Sequence, residues 1–92
     1  MKQYTTSEQT AKLIKQGLPQ PRTKIPFEVA NDELGYTYSI GELIDVLGVH
    51  LSSIYYIGIV WFVNAEGIER RREELIDALY DMVVKLKEEG VI

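Results

Sequence analysis

Few side chains in this sequence have the types and spacing that catalysis requires. His50 is the single histidine, and Ser52 and Ser53 follow it closely. A serine becomes a nucleophile when a base accepts its proton and a third group orients that base. No third group stands at a matching spacing, so His50 is interpreted as an exposed loop residue. The sequence therefore predicts no catalytic residue and favours a protein that is not an enzyme.

Asp77 and Asp81 are the best-spaced pair of carboxylates, because they lie one turn apart on a predicted helix. A metal such as Ca²⁺ needs about six to eight oxygen ligands, and neither a histidine nor another carboxylate has a matching spacing. The chain has no cysteine, which excludes disulfides and thiolate metal sites. The pair is interpreted as part of a solvated helix face, and no metal or cofactor is predicted.

The run Arg70-Arg71-Arg72 is the strongest candidate for a binding site. Arginine binds phosphate and carboxylate groups through paired hydrogen bonds, and a helix N-terminus favours anions. Four glutamates surround the run and cancel most of its field: Glu66, Glu69, Glu73 and Glu74. Two interpretations stay open, a balanced solvated surface and an anion site formed by Arg70, Arg71 and Arg72.

The charge of the chain is unevenly distributed. The net charge is −4, which argues against a dedicated nucleic-acid binder, since such proteins neutralise phosphates. Residues 1–24 are basic, whereas residues 25–69 carry seven acidic residues and neither lysine nor arginine. Either the basic first helix packs near the acidic middle, or the middle presents an acidic face to a basic partner.

Three glycines mark predicted helix ends, and each precedes an apolar residue: Gly17-Leu18, Gly48-Val49 and Gly90-Val91. Glycine adopts the left-handed backbone of a Schellman ending without a Cβ penalty. The residue after each glycine is then expected to pack on an apolar residue four positions before that glycine. Those packing partners are Leu13, Ile44 and Leu86.

Helix starts are marked by capping boxes. Ser39 and Glu42 have this spacing before the second helix, and the first helix has two candidate boxes. These are Thr5 with Glu8 and Thr6 with Gln9. A broad apolar face beginning at Ile68 and repeating through Leu86 predicts the last helix. The three helices are expected near residues 6–16, 40–47 and 69–89.

Residues 54–63 are rich in β-branched and aromatic residues, which favours a strand. Both faces are apolar, so we expect the central strand of a small antiparallel sheet, covered on both sides by helices or by a second subunit. Gly58 is interpreted as a bulge or a bend. One face would carry Tyr55, Ile57, Ile59 and Trp61. The aromatic residues are interpreted as core or interface residues, because no basic residue lies nearby to support base stacking.

Residues 19–38 are the least defined part of the sequence. Two segments alternate with period two and are interpreted as short strands, residues 27–30 and 36–38, with a turn at Asn31-Asp32 between them. Pro26 and Gly35 weaken both interpretations.

The predicted fold is one α+β domain over residues 1–92, with three helices packed on a small antiparallel sheet. The longest apolar run is too short to span a membrane as a helix, and the first residues lack the apolar run of a signal peptide. A cytoplasmic location is therefore expected. So few helices leave part of the apolar strand uncovered, and we predict self-association as a two-fold homodimer.

Three segments, Thr5–Gly17, Tyr38–Leu47 and Glu73–Gly90, resemble a group of small uncharacterised proteins encoded by prophages and mobile elements of gut bacteria. The group shares a T-x-x-Q…L-x-x-x-G helix, a W/Y-S-x-x-x-L-I-x-x-L helix and an L-I-D-A-x-x-x-M-V-x-x-L-K helix. This chain departs from it with Gly48 in place of a common proline and with a shorter β region. The resemblance implies an α+β fold and a phage or mobile-element setting, and it transfers no functional residue.

Two functional hypotheses follow. The leading one is a small non-enzymatic protein-interaction domain of phage or mobile-element type, with an unidentified protein partner. The alternative is a nucleic-acid-associated regulator with a winged-helix-like arrangement, which is supported by the order of the elements and by the arginine run.

Overall fold

The computed structural model of this protein describes residues 1–24 and 36–92. The helices are α1 (Ser7–Lys15), α2 (Ile40–Leu47) and α3 (Leu75–Glu88), and a 3₁₀ turn (Gly48–His50) follows α2. The strands are β1 (Thr23–Lys24), β2 (Tyr36–Thr37), β3 (Leu51–Ile57), β4 (Val60–Ala65) and β5 (Ile68–Arg72). β3, β4 and β5 form an antiparallel sheet in that order, and β1 pairs with β2. The predicted α+β class is confirmed.

A capping box forms at α1 and at α2, and of the two candidates for α1 it is Thr6 with Gln9, not Thr5 with Glu8. At α1 the box uses Thr6 and Gln9: the Gln9 backbone N–H donates to Thr6 Oγ1 at 3.1 Å, and the Thr6 N–H donates to Gln9 Oε1 at 2.9 Å. At α2, Ser39 and Glu42 make the same two bonds at 3.1 and 3.2 Å. Each box satisfies two backbone N–H donors at a helix start. The boundaries of α1 and α2 therefore agree with prediction.

Two of the three glycine endings are Schellman motifs. After α1, Leu18 N–H donates to Leu13 O at 3.2 Å, and after α3, Val91 N–H donates to Leu86 O at 2.9 Å. Gly48 ends α2 with φ of 51°, as predicted, but the predicted packing of Val49 on Ile44 is wrong, because the chain continues from Gly48 into the 3₁₀ turn. Val49 is 96% exposed and does not pack on α2.

The single strand predicted over residues 54–63 is wrong, because the chain reverses at Gly58-Ile59. Gly58 has φ of 64°, which glycine adopts without strain, and the Ile59 N–H donates to the Ile57 carbonyl at 2.6 Å, so the chain reverses in a tight turn. β3 and β4 consequently form a hairpin in which Ile57 pairs with Val60 across a two-residue loop.

The predicted start of the last helix at residue 69 is also wrong. A second hairpin turns at Glu66 and Gly67, whose φ values of 51° and 75° match a type I′ turn. Residues 68–72 thereby pair with β4 as β5, with Ile68 beside Ala65. Strand pairing accounts for the apolar Ile68, and the helical pattern begins at Leu75.

The core lies between the sheet and the helices. α3 packs against β4 and β5, and α2 packs against α3. α3 contributes seven buried residues: Leu75, Ile76, Ala78, Leu79, Met82, Val83 and Leu86. β4 contributes Val63 and Ala65 from one face of the sheet. α3 is therefore the central element, with the sheet on one side and α2 on another.

The N-terminal segment is attached to β2 by a cluster of three buried hydroxyl groups. Thr5 Oγ1 lies 2.6 Å from both Thr10 Oγ1 and Thr37 Oγ1, and the last two lie 3.0 Å apart. The Thr37 hydroxyl also donates to the Thr5 carbonyl at 2.7 Å. Each buried hydrogen bond stabilises the fold by about 1 kcal/mol, so the cluster fixes α1 against β2.

The segment before α2 agrees with prediction in part. Tyr36–Thr37 is a strand, β2, and pairs with β1. The strand predicted over residues 27–30 and the turn at Asn31-Asp32 lie outside the described residues. Among the helices that the structure describes, none is long and apolar enough to cross a membrane.

Candidate protein-interaction surface

The two faces of the β3–β4–β5 sheet differ in whether another element packs against them. Val63 and Ala65 are buried, so the face that they share is the one against α3. Side chains alternate along a strand, and cross-strand partners share a face. The opposite face, called the outer face below, therefore carries Ser53, Tyr55, Ile57, Val60, Phe62, Asn64, Glu69 and Arg71. None of these residues is buried, so no described element covers the outer face.

Four large apolar residues at the end of the first hairpin are exposed. The exposed fractions are 41% for Tyr55, 51% for Tyr56, 59% for Ile57 and 76% for Ile59. These four residues are called the hairpin patch. Together they expose on the order of 450 Å², taking about 200 Å² for each full side chain. Tyr55 and Ile57 lie on the outer face, Tyr56 lies on the opposite face and Ile59 lies in the turn, so this surface wraps around the end of the hairpin. A patch of about 300–600 Å² is the largest that a typical monomer carries, and such patches are often functional.

The predicted shared face of Tyr55, Ile57, Ile59 and Trp61 needs correction. Tyr55 and Ile57 lie on the outer face, whereas Trp61 is paired with Tyr56 and shares the α3 side with Val63. Ile59 lies in the turn. The two loop residues interrupt the alternation, so a period-two count that runs through Gly58 assigns Trp61 to the wrong face.

Ring contacts hold the two tyrosines of the hairpin patch in place. The Tyr55 and Phe62 rings stack with centroids 4.9 Å apart and an interplanar angle of 7°, and the Tyr56 and Trp61 rings also lie 4.9 Å apart. The Tyr56 hydroxyl donates to the Gly58 carbonyl at 2.6 Å. Because these side chains are already ordered, a partner would lose little conformational entropy in binding them.

The three arginines do not converge on one site. They lie on β5 instead of at a helix N-terminus, and alternation places Arg71 on the outer face and Arg70 and Arg72 on the other. Arg72 Nη1 donates to Asp81 Oδ2 at 2.7 Å, and this bond raises the pKa of Arg72. The predicted anion site at Arg70, Arg71 and Arg72 therefore lacks a common face, because a strand directs neighbouring side chains to opposite sides.

Asp77 joins the N-terminus to α3. Its Oδ1 accepts hydrogen bonds from Lys2 Nζ and Gln9 Nε2, both at 2.9 Å, and Arg72 Nη2 lies 3.9 Å from Oδ2. Burial alone would raise the pKa of Asp77, but the hydrogen bonds and the positive charges outweigh it and lower that pKa. Asp77 is thus a structural ion-pair centre and not part of a solvated face. In the described part of the chain, no group of three metal-ligating side chains exists.

His50 and the serines form no nucleophilic arrangement. His50 Nδ1 lies 2.6 Å from Glu66 Oε1, and this pair joins the start of β3 to the second hairpin turn. Ser53 Oγ accepts from Asn64 Nδ2 at 3.2 Å, across the β3–β4 pair. His50 is partly exposed in the 3₁₀ turn, and its observed contact is structural.

A cleft of about 390 Å³ lies beside α2 and is lined by Pro19, Gln20, Arg22, Tyr38, Glu42, Asp45 and Val46. The Glu42 carboxylate accepts from the backbone N–H of Arg22 at 2.9 Å, from the Ser39 N–H and from the Thr23 hydroxyl. Burial alone would raise the pKa of Glu42, but these bonds lower it. The Tyr38 hydroxyl donates to Pro19 O at 2.6 Å. These groups fasten the chain before β1 to α2.

Sequence reasoning identified the apolar segment but missed its free edge. β3 lies at one edge of the sheet. The signal in the sequence that two strands meet here was Gly58, a glycine in the middle of a continuous apolar run.

In comparisons with known proteins, no family model, no curated protein and no solved structure matches the chain.

Proposed function

We propose that this protein is a small non-enzymatic protein-interaction domain of phage or mobile-element type, and that it binds its partner through the hairpin patch. The observation that carries the proposal is the exposed cluster of Tyr55, Tyr56, Ile57 and Ile59, in which ring contacts fix the two tyrosines. Apolar aromatic clusters of this kind supply most of the binding energy at protein interfaces. The phage or mobile-element setting is supported by the sequence resemblance.

The positions of the ionisable groups support a role without catalysis. Asp77 and Glu42 accept hydrogen bonds from segments that they hold in place, and Arg72 is paired with Asp81. A catalytic group instead needs a free position from which to reach a substrate. These three side chains act on the fold itself.

The nucleic-acid alternative receives less support. A helix that reads DNA presents basic and polar side chains to the groove and the phosphates. α2 has the sequence Ile-Gly-Glu-Leu-Ile-Asp-Val-Leu, with two acidic residues and no basic one. Arg71 is the only member of the arginine run on the outer face. An electrophoretic shift assay at about 50 mM salt tests this alternative, because phosphate contacts strengthen as salt falls.

The proposal is tested by affinity capture from a lysate of the source cells, followed by mass spectrometry. The three baits are the wild-type chain, Ile59→Lys and Val49→Lys. Ile59 and Val49 are both exposed β-branched residues, but Val49 lies at the opposite end of β3 from the hairpin patch. We expect one partner to be retained by wild type and by Val49→Lys and lost from Ile59→Lys. Equal retention by all three baits, or none by wild type, contradicts the proposal.

A further inference from the structure

The two edges of the three-stranded sheet have opposite chemistry. β5 carries Glu69, Arg70, Arg71 and Arg72, whereas β3 and its partner β4 carry no charged residue and no proline. Natural sheets protect their edges with charges, prolines or bulges, because an unprotected edge pairs with another strand. β3 has a bulge at its beginning, between Leu51 and Ser53, and none beside the hairpin patch. Within the part of the chain that the structure describes, the second half of β3 is therefore an edge that none of these features protects.

We propose that β3 pairs antiparallel with β3 of a second copy of this chain, about a two-fold axis at Tyr56, so that residues 55–57 of the two copies pair and join the two sheets into one sheet of six strands. The inference rests on the proposed function and deepens it, because it identifies a partner and the strand that binds it.

The position of the axis follows from the ladder. Ile57 and Val60 flank a two-residue loop, so their backbone groups bond each other, and alternate residues of β3 direct theirs outward. Between the bulge and the turn, those residues are Ile54 and Tyr56. An axis at Tyr56 places Tyr55 of one copy opposite Ile57 of the other, an aromatic and β-branched pair that stabilises sheets. An axis at Ile54 would instead place Tyr56 opposite a serine.

The distribution of charge favours a second copy of this chain as the partner that pairs with β3. Self-pairing at Tyr56 brings only uncharged residues together, since residues 51–65 contain none that is charged. Self-pairing of β5 would bring its arginines opposite one another, which is unfavourable. A strongly charged partner strand would find no countercharge along β3. Two-fold assemblies are also the commonest oligomers.

The available area sets the expected strength. The hairpin patch exposes on the order of 450 Å² per copy, against about 800 Å² per partner in a stable complex of standard size. The pair is therefore weak, with Kd on the order of 10 µM, the range of transient contacts.

The experiment uses charge exchange at the axis. Tyr56→Lys and Tyr56→Glu each place like charges opposite one another, whereas an equimolar mixture of the two variants pairs a lysine with a glutamate. The average mass of the wild-type chain, measured by sedimentation equilibrium, should rise with concentration from 10.5 kDa towards twice that mass. Each variant alone should remain at 10.5 kDa, and the mixture should recover the larger mass. Val49→Lys and Val49→Glu, alone and mixed, are the matched controls and should behave as wild type.

Three outcomes overturn the pairing: a wild-type monomer at about 100 µM, well above the expected Kd; charge variants that still dimerise alone; and folded variants whose mixture stays monomeric. If the variants do not fold, amide exchange of wild type decides instead. The Tyr56 amide should then exchange more slowly as protein concentration rises, and concentration-independent exchange of that amide refutes the pairing. Loss of the pair with capture from the lysate intact leaves the proposed function standing.

Discussion

Replacing Asp77 by asparagine should lower stability at neutral pH and should lose that effect in acid. The Asp77 side chain is 14% exposed and binds Lys2 and Gln9, which precede it by 75 and 68 residues. The amide oxygen of an asparagine at this position could still accept both bonds, so the substitution removes the charge and little else. The prediction therefore isolates the electrostatic part of the link between the N-terminus and α3.

The magnitude follows from the two contacts. A hydrogen bond to a charged acceptor contributes about 1.5–3 kcal/mol, and a neutral one contributes about 1 kcal/mol. The Lys2 side chain is 37% exposed, so solvent screening limits its ion pair to about 0.2–1 kcal/mol. The combined loss for Asp77→Asn is about 1.5 kcal/mol, which lowers Tm by roughly 6–12 °C in a domain of this size.

The pH dependence follows from the sign of the shift. The pKa of Asp77 in the folded chain is lower than its ordinary value of 3.8, so the stabilisation is complete above that value. The stabilisation is lost as pH falls through the lower pKa of the folded state. Protonated Asp77 is neutral, like asparagine, so the two chains should become equally stable in strong acid. Glu42 also has a lowered pKa, but its effect is common to both chains and cancels in the difference.

Urea unfolding, followed by Trp61 fluorescence at pH 7 and at pH 2.5, measures the difference in the free energy of unfolding between wild type and Asp77→Asn. Asp45→Asn is the matched control, because Asp45 is an exposed aspartate on α2. Exposed substitutions usually change stability by less than about 0.5 kcal/mol. A difference between wild type and Asp77→Asn that stays constant over this pH range would refute the assigned role of the Asp77 charge.

Two further substitutions, each with a comparison variant, test the second hairpin turn and the hydroxyl cluster by thermal unfolding. Gly67→Ala should destabilise the chain by about 1 kcal/mol, because Gly67 has φ of 75°. Gly41→Ala should stabilise it by about 0.5 kcal/mol, because Gly41 lies in α2 with room for a Cβ; equal effects would contradict the assigned turn. Thr10→Val should lower the free energy of unfolding by about 1–3 kcal/mol, because Thr5 and Thr37 lose a buried partner. Thr10→Ser keeps the hydroxyl group and should retain most of that stability. A Thr10→Val variant as stable as wild type would contradict the role of the cluster.

Local signals in the sequence predicted local structure well. The Ser39–Glu42 capping box and the Gly17 and Gly90 endings form as predicted, because they depend on residues within one helical turn. Gly48 also ends its helix, but the Schellman packing of Val49 does not form although the local pattern is the same, because the following residues enter the 3₁₀ turn that leads into β3. A pattern of two or three residues does not include that constraint.

The hairpins and the ion-pair centre were harder to predict. A strand that is apolar on both sides has no period-two signal, so the reversal at Gly58 leaves the pattern of residues 54–63 unchanged. The role of Asp77 depends on Lys2, a residue distant in sequence. The apolar surface itself was predicted, but the faces of its residues were not, because face assignment depends on the position of the loop.

Pairing at β3 would also change what a different protein could bind. Directly opposite residues of paired strands point to the same side of a sheet, so both α3 helices of the dimer would lie on one side. The two outer faces would then lie together on the other side and remain open. Val60 and Phe62 of both copies would contribute to that surface. Self-pairing therefore enlarges the open outer face, which also carries Asn64, Glu69 and Arg71, instead of covering it.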